Sequence, residues 1–166
     1  DTVFHLASKA HAVSETLGDA SGYEEVIVGG TRCLVEAAER AGVRSFVYVS
    51  SVKAMGEGES RRPQTLPIDE QSSVEPETPY GRCKLEAESI VLRSKIPHGV
   101  GRRPVMVYGP GHKGNLVRMA EAIRKGRFTP IADNKNRRSM VHVDDLVAAC
   151  KLSASSGKAS RQVYII

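Results

Sequence analysis

A tyrosine and a lysine four residues apart are the residues of this sequence best suited to proton chemistry. Tyr80 and Lys84 belong to the stretch Pro-Tyr-Gly-Arg-Cys-Lys, and its Pro79 is typical of the first turn of a helix. Residues four apart share one helical face, with Cβ atoms about 5 to 6 Å apart. A phenol with a pKa of about 10 is a poor base, and a nearby ammonium favours its charged form. We therefore predict that Lys84 moves the pKa of Tyr80 towards neutrality, so that Tyr80 exchanges a proton with a substrate hydroxyl.

A serine at the end of a predicted strand completes this candidate site. The run Ser45-Phe-Val-Tyr-Val-Ser50 is apolar throughout its centre, as in parallel strands that are buried on both faces. Ser51 comes next, at the carboxyl end where ligands of parallel sheets bind. We expect its hydroxyl to hydrogen-bond the reacting oxygen. The alternatives are a turn serine and, for the YxxxK pattern alone, a boundary tyrosine beside a solvated lysine.

Strands and helices alternate along the chain, which predicts an α/β fold with a mainly parallel sheet. The predicted strands are 3–7, 45–50, 104–108, 139–143 and 163–166. The predicted helices are 22–41, 80–93, 115–125 and 145–152, with Gly42 and Gly126 as C-terminal signals and Asp144 as an N-cap. Residues 56–79 are polar and rich in Gly, Pro, Glu and Ser, and this length indicates a functional loop.

Composition excludes several classes of function. The 166 residues are 40% hydrophobic and 26% charged, as in a globular domain. No apolar run approaches the roughly 18 to 20 residues that span a bilayer, so we expect no membrane segment. The net charge of +5 comes from scattered residues, and aromatics are only 5%, so we expect no nucleic acid partner and infer an anionic small ligand. Cys33, Cys83 and Cys150 are too far apart in sequence to indicate a metal site or a disulfide framework.

One glycine-rich stretch matches a dinucleotide-binding motif but does not fit that function. Gly109-Pro-Gly-His-Lys-Gly114 spells GxGxxG after a predicted strand, and Asp133 follows about 20 residues later. Pro110, however, removes a backbone N–H from the turn that must face a phosphate. We therefore reject a dinucleotide site at this position.

Six motifs in one order carry a family resemblance over nearly the whole chain. They are His5-Leu-Ala-Ser-Lys-Ala-His11, Gly29-Gly-Thr31 with Leu34-Val-Glu-Ala-Ala38, Ser50-Ser51 before Met55-Gly56, Pro79-Tyr80 to Lys84, Arg103-Pro-Val-Met-Val-Tyr-Gly109, and Arg138 to Leu146. Together they resemble the extended short-chain dehydrogenase/reductase family, and most closely its NAD-dependent epimerases and dehydratases of the UDP-glucose 4-epimerase type. The resemblance implies a Rossmann-like, doubly wound sheet, with a partial cofactor domain at 1–109 and a partial substrate-binding region at 110–166 interleaved with the last strands.

The resemblance also implies roles for individual residues. The catalytic residues would be Ser51, Tyr80 and Lys84. The residues bordering NAD, or alternatively NADP, would be Leu6, Ala7, Lys84, Val107 and Tyr108. The residues contacting a nucleotide sugar would be Ser51, Tyr80, Asn115 and Arg138. Asn115 as a helix N-cap, and Arg138 as part of a solvated basic cluster with Lys135 and Arg137, are the alternatives. We expect His142 to be structural.

The implied activity is hydride transfer at a sugar carbon, with Tyr80 as acid and base. A hydroxysteroid-type dehydrogenase and a non-catalytic cofactor-binding relative are the alternatives. The resemblance further implies a cytoplasmic homodimer, formed through the helices that begin near Gly22 and Tyr80.

Three features depart from the family pattern. The N-terminal glycine-rich fingerprint is missing and both ends of the sequence look cut, so we expect a segment of a longer protein. Ile27 occupies a position that is usually Asn. Residues 93–103 carry glycines and arginines where relatives have an apolar strand, so no strand is assigned there.

Overall fold

The computed structural model describes residues 1–9, 20–56, 67–111, 115–128 and 137–166. Its strands are β1 (Thr2–His5), β2 (Ser45–Val49), β3 (His98–Arg103), β4 (Met106–Tyr108), β5 (Met140–His142) and β6 (Val163–Ile165). Its α-helices are α1 (Ala20–Tyr23), α2 (Gly30–Arg40), α3 (Pro79–Arg93), α4 (Asn115–Arg124) and α5 (Val143–Ser155). Short 3₁₀ turns lie at Val52–Met55 and Gly157–Ala159.

The main sheet is parallel and has the strand order β1-β2-β3-β6. Strand β2 lies in the middle of the sheet, with Phe46, Val47 and Tyr48 at 1% exposure or less. The pair β4 and β5 forms a separate two-stranded parallel sheet. Because all carboxyl ends of the main strands share one edge, the segments that follow β1 and β2 come together there. The predicted α/β fold with a mainly parallel sheet is confirmed.

Helices cover both faces of this sheet. Phe46 and Tyr48 point to a core cluster that includes Val35 of α2 and Val91 of α3. On β3, the successive residues Arg102 and Arg103 reach opposite faces, as alternation along a strand requires. Arg102 donates to Ser153 of α5, and Arg103 donates to Glu88 of α3. The sheet is therefore doubly wound, as predicted.

The first long helical segment agrees with the predicted helix, with one irregularity. Between α1 and α2 the residues Glu24–Gly29 form a π-helical turn that continues directly into α2. The segment ends at Gly42, which has a φ of +65°. A left-handed residue at this position is favourable for glycine, which has no Cβ.

Strand β3 was not predicted, because its sequence HGVGRR lacks the usual apolar run. Close neighbours explain the glycines: a Cβ at Gly99 would lie 2.8 Å from the Val91 carbonyl oxygen. The two arginines are buried only because each has partners, Ser153 and the Tyr164 ring for Arg102 and a carboxylate for Arg103. Omitting a strand at 98–103 was therefore wrong.

The predicted cap of the last helix was also wrong. Helix α5 begins at Val143, so Asp144 lies inside its first turn rather than before it. His142 is the N-cap, and its Nδ1 accepts from the Asp144 N–H at 3.3 Å. This structural contact fits the expectation that His142 is structural.

No helix in the described part of the chain is both long enough and apolar enough to cross a bilayer.

Candidate active site

The start of α3 is fixed by capping. Thr78 has an extended backbone, and its hydroxyl accepts from the Gly81 N–H at 3.1 Å. Pro79 then occupies the first helical turn, where its missing N–H costs nothing. These two residues define where the helix begins, and so place Tyr80 at its first turn, facing the end of β2.

Lys84 lies one helical turn further along α3 and is only 2% exposed. Its Nζ donates to the Val49 carbonyl oxygen, the last residue of β2, at 3.1 Å. The same ammonium lies 5.0 Å from the centre of the Tyr48 ring and 5.8 Å from that of Tyr80. Lys84 is therefore held at the carboxyl end of the sheet. It lies beside the Tyr80 ring, as the spacing of four residues predicts.

Ser51 follows β2 with an extended backbone, and its hydroxyl accepts from the Lys53 N–H at 3.2 Å. The same hydroxyl lies close enough to the Tyr80 phenol to lower the pKa of that phenol. The structure therefore brings Ser51, Tyr80 and Lys84 into one site, as the sequence predicts.

A further hydroxyl, missed in the sequence, belongs to the same site. Ser8 follows β1, and its side chain lies close enough to the Tyr80 phenol to lower the pKa of that phenol. The Tyr80 ring also makes an edge contact with Tyr23, with ring centres 5.7 Å apart. Ser8 was visible only as part of the motif after β1, and no pattern of spacing links it to Tyr80. The link exists because β1 and β2 are neighbours whose carboxyl ends lie side by side.

The electrostatics of the pair differ from the prediction. Burial raises the pKa of Tyr80 above its ordinary value, although the nearby Ser51 and Ser8 side chains act in the opposite direction. Burial also lowers the pKa of Lys84 to about 8, against an opposing effect of Glu88. The predicted lowering of the Tyr80 pKa is therefore wrong, because loss of water around the phenol outweighs the favourable contacts. At neutral pH the site holds a protonated phenol beside a charged amine.

Gly81 allows α3 to approach the turn that follows Ser51. A Cβ at this position would lie 2.5 Å from the Lys53 carbonyl oxygen and 3.1 Å from Cβ of Pro76. Contacts of that length force backbone to move. The absence of a side chain at Gly81 thus determines how closely Tyr80 and Ser51 meet.

We expect Gly81→Ala to lower the free energy of unfolding by roughly 1 to 3 kcal/mol, because the added methyl overpacks a backbone contact. The loss should appear in urea unfolding curves. Gly30→Ala, at the start of α2, is the matched control, since nothing lies within 4 Å of its added Cβ. That change should stabilise by up to about 1 kcal/mol through helix propensity. Equal effects of the two changes would contradict the close approach.

Some of the remaining predicted site residues also lie at the carboxyl edge of the main sheet, and others lie on or near the small sheet of β4 and β5. Leu6 and Ala7 are exposed and follow β1 directly. Val107 and Tyr108 lie on β4, which continues beyond the carboxyl end of β3, and the Tyr108 ring contacts His142. Arg138 is exposed ahead of β5.

Some predicted features lie outside the described residues. Asn115 is the first residue of α4, but its side chain is not described. The same is true of Lys135, of Asp133 and of residues 112–114 in the rejected glycine pattern.

The site suits an extended polar cofactor. An ammonium carries three N–H donors, and the Val49 carbonyl uses one of those on Lys84. The buried Ser50 hydroxyl, beside Ser51, has no hydrogen-bond partner among the described residues. Leu6, 64% exposed, offers an apolar surface at the adjacent strand end. Donors and an apolar border at one sheet edge fit a nicotinamide and its ribose. Among the described residues, no cluster of three His, Cys, Asp or Glu side chains is arranged for a metal ion.

The sequence is similar to a known family and to curated proteins of about twice its length. The sequence profile described as "NAD dependent epimerase/dehydratase family" matches residues 1–166. The chain is 32% identical to UDP-glucose 4-epimerase of Vibrio cholerae, over 99% of the chain and 51% of the relative. It is 31% identical to 3 beta-hydroxysteroid dehydrogenase/Delta 5-->4-isomerase of Mycobacterium tuberculosis, over 100% of the chain and 47% of the relative. The chain thus spans about half the length of these curated relatives.

A solved structure extends the comparison to the fold. MoeE5 in complex with UDP-glucose and NAD is 30% identical, with a TM-score of 0.80, over 99% of this chain and 56% of that one. Together with the parallel, doubly wound sheet, this similarity confirms the predicted Rossmann-like fold.

Proposed function

Because the chain belongs to the NAD dependent epimerase/dehydratase family, we propose that the full-length protein is an epimerase or dehydratase that acts on a nucleotide sugar. The observation that carries the proposal is the meeting of Ser51, Tyr80 and Lys84 at the carboxyl edge of the sheet. A binding module has no need of a hydroxyl and a buried amine gathered around a phenol. The comparison protein MoeE5, solved with UDP-glucose and NAD, supports the same ligand class.

The chemistry divides among these residues by their contacts. NAD, when bound, supplies the acceptor for a hydride from the sugar. Tyr80, as its phenolate, would accept the proton of the sugar hydroxyl as the hydride leaves, and the resulting phenol would return that proton to the carbonyl oxygen when the hydride comes back. Ser51, whose hydroxyl lies near that phenol, would hydrogen-bond the same sugar oxygen. Lys84 holds its charge close to the phenol ring, and its remaining N–H donors would bind the nicotinamide ribose.

The other predicted residues extend the site in both directions. Leu6 and Ala7, after β1, and Val107 and Tyr108, on β4, would border the nicotinamide. Asn115 and Arg138 would bind the diphosphate of the sugar nucleotide, since a guanidinium is a planar donor suited to phosphate.

This assignment corresponds to a division of the chain into two regions. Residues 1–109 would form most of the cofactor domain, and 110–166 would contribute to substrate binding. Within the second region, α5 and β6 return to the main sheet.

Turnover assays with nucleotide sugars and with 3β-hydroxysteroids test the proposal. The full-length protein should convert one or more nucleotide sugars, with UDP-glucose as the first to be tried. Turnover of 3β-hydroxysteroids, with none of any nucleotide sugar, would instead favour the second candidate, a hydroxysteroid dehydrogenase. That candidate rests on the 31% identity to the mycobacterial enzyme, which almost equals the 32% to the epimerase. Cofactor binding without turnover of either class would favour a regulatory protein.

We also propose that the protein is a cytoplasmic homodimer that pairs through α2 and α3. These helices lie side by side and are joined by an ion pair of Arg32 with Glu86 at 3.8 Å. The apolar residues Leu34 of α2 and Val26 of the π-helical turn before it are exposed. Sedimentation of the full-length protein as a monomer at micromolar concentration would contradict the pairing.

A further inference from the structure

A buried ion pair lies directly behind the candidate site. Glu88 of α3 and Arg103 of β3 are joined by two hydrogen bonds, from Nε to Oε1 at 2.9 Å and from Nη2 to Oε2 at 2.6 Å. Their side chains are 2% and 7% exposed. Arg103 also contacts the Met55 sulfur, in the turn that follows Ser51. The guanidinium thus ties Glu88 to the segment that carries the candidate catalytic serine.

Glu88 lies one helical turn beyond Lys84, as Lys84 lies one turn beyond Tyr80. The spacing of four residues places all three on one face of α3. Both Lys84 and Glu88 are 2% exposed, so little water screens the interaction between their charges. A bidentate guanidinium prevents the Glu88 side chain from turning away.

The other polar groups around Lys84 do not supply a negative charge. They are His5 of β1, Tyr48 and the Val49 carbonyl of β2, and Tyr80 of α3. Burial lowers the pKa of His5, and Lys84 lowers it further, so that ring is neutral. Burial raises the pKa of Tyr48 and of Tyr80, so both phenols are neutral. Among the described residues, Glu88 is therefore the carboxylate whose charge acts on Lys84.

We propose that Glu88, fixed by Arg103, is a positioning residue that keeps the Lys84 amine charged and aimed at the carboxyl end of β2. The inference rests on the proposed function, in which the charged amine assists the Tyr80 phenol. Burial alone drives the amine towards its neutral form, and a neutral amine neither favours a phenolate nor offers three N–H donors. Glu88 opposes that effect from a buried position one turn further along the same face of the helix.

Titration of Lys84 itself provides the test, independently of turnover. Full-length protein is labelled with ¹³C at the lysine ε carbon, and the Lys84 signal is assigned by its loss in Lys84→Met. The unchanged protein should titrate at about pH 8. In Glu88→Gln the pKa of Lys84 should fall by about one unit, because a buried opposite charge one helical turn away is removed. The alkaline limit of kcat/KM should move to lower pH with it.

Two further variants make the result decisive. Glu86→Gln removes the same charge from the same helix at an exposed position, paired with Arg32, and should leave the Lys84 pKa unchanged. Glu88→Gln/Arg103→Met leaves no unpaired buried charge, so it keeps the test open if the single variant does not fold. Its Lys84 pKa should also fall, though by less.

The sign of the shift separates this role from a structural one. If Glu88 only packs the core, its loss admits water and the pKa of Lys84 rises towards 10.5. A rise, or no change, in both Glu88 variants would overturn the proposal. A fall in a protein that turns over no substrate would leave the inference standing and count against the proposed function instead.

Discussion

Tyr80→Phe in the full-length protein is expected to lower kcat by about 10²- to 10⁴-fold, the range attributed to a positioned acid or base. The substitution removes only the phenolic oxygen, which is the atom near the Ser51 and Ser8 hydroxyls. The ring retains its edge contact with Tyr23 and its place against the core. Cofactor affinity and the unfolding midpoint should therefore stay close to those of the unchanged protein. Steady-state kinetics, calorimetric titration with NAD and urea unfolding measure the three quantities.

Tyr164→Phe is the matched control for this change. Tyr164 lies on β6, and among the described residues its hydroxyl donates to the exposed Lys158 carbonyl at 3.4 Å. Turnover in this variant should be unaffected. Near-normal turnover in Tyr80→Phe, or an equal loss in both variants, would contradict the role assigned to the Tyr80 phenol.

Lys84→Met should abolish most turnover without destabilising the fold. Methionine has a similar length and no charge, so the buried volume is kept while the charged amine beside the Tyr80 ring is lost. Folding lowers the pKa of Lys84 from 10.5 to about 8, which means that burying its charge opposes folding below pH 8. At one pKa unit per 1.36 kcal/mol, this cost is on the order of 3 kcal/mol. The variant should therefore unfold at an equal or higher urea concentration at pH 7.

The pH dependence of that difference provides a check on its cause. The unfolded chain keeps its proton up to 10.5, whereas the folded Lys84 loses it at about 8. The unchanged protein should therefore gain stability between these values, and its deficit relative to Lys84→Met should shrink as pH rises. A variant that is less stable than the unchanged protein at pH 7 would show that the Val49 hydrogen bond and the ring contacts of Lys84 outweigh the cost of its burial.

The elements predicted correctly are those whose hydrophobic pattern in the sequence matches their burial in the fold. Strand β2 is a continuous apolar run and lies in the centre of the sheet. Helix α3 has a proline at its start and the YxxxK spacing, so both its boundary and its facing residues followed from the sequence. The meeting of Ser51 with Tyr80 followed from a general property of parallel sheets, whose carboxyl ends share an edge.

Strand β3 shows where sequence patterns are insufficient. Its glycines and arginines read as a loop because hydrophobic patterns ignore partners that come from distant residues. Arg102 is buried through Ser153 and Tyr164, and Arg103 through Glu88, and these partners lie between 15 and 62 positions away in sequence. Ser8 was missed for the same reason, since only the neighbouring strand places it beside Tyr80.

The pKa of Tyr80 was mispredicted for a different reason. Spacing establishes that Lys84 is near, but it contains no information on how much water each group loses. Burial of both side chains makes the phenol harder to ionise and the amine easier to neutralise. A buried amine inferred from sequence therefore needs a nearby opposite charge to stay protonated, and in this fold Glu88 supplies that charge to Lys84.

Deuterium transfer from substrate to cofactor would show directly whether the protein moves a hydride from a nucleotide sugar with the help of Tyr80. Full-length protein with NAD is mixed with nucleotide sugars whose sugar unit is fully deuterated, beginning with UDP-glucose, quenched at short times and analysed by mass spectrometry of the cofactor. We predict deuterium in the reduced cofactor for at least one sugar, with the transfer rate reduced at least about 10²-fold in Tyr80→Phe. A protein that binds NAD and the sugars yet transfers no deuterium, or a Tyr80→Phe variant that transfers it at the original rate, would contradict the account.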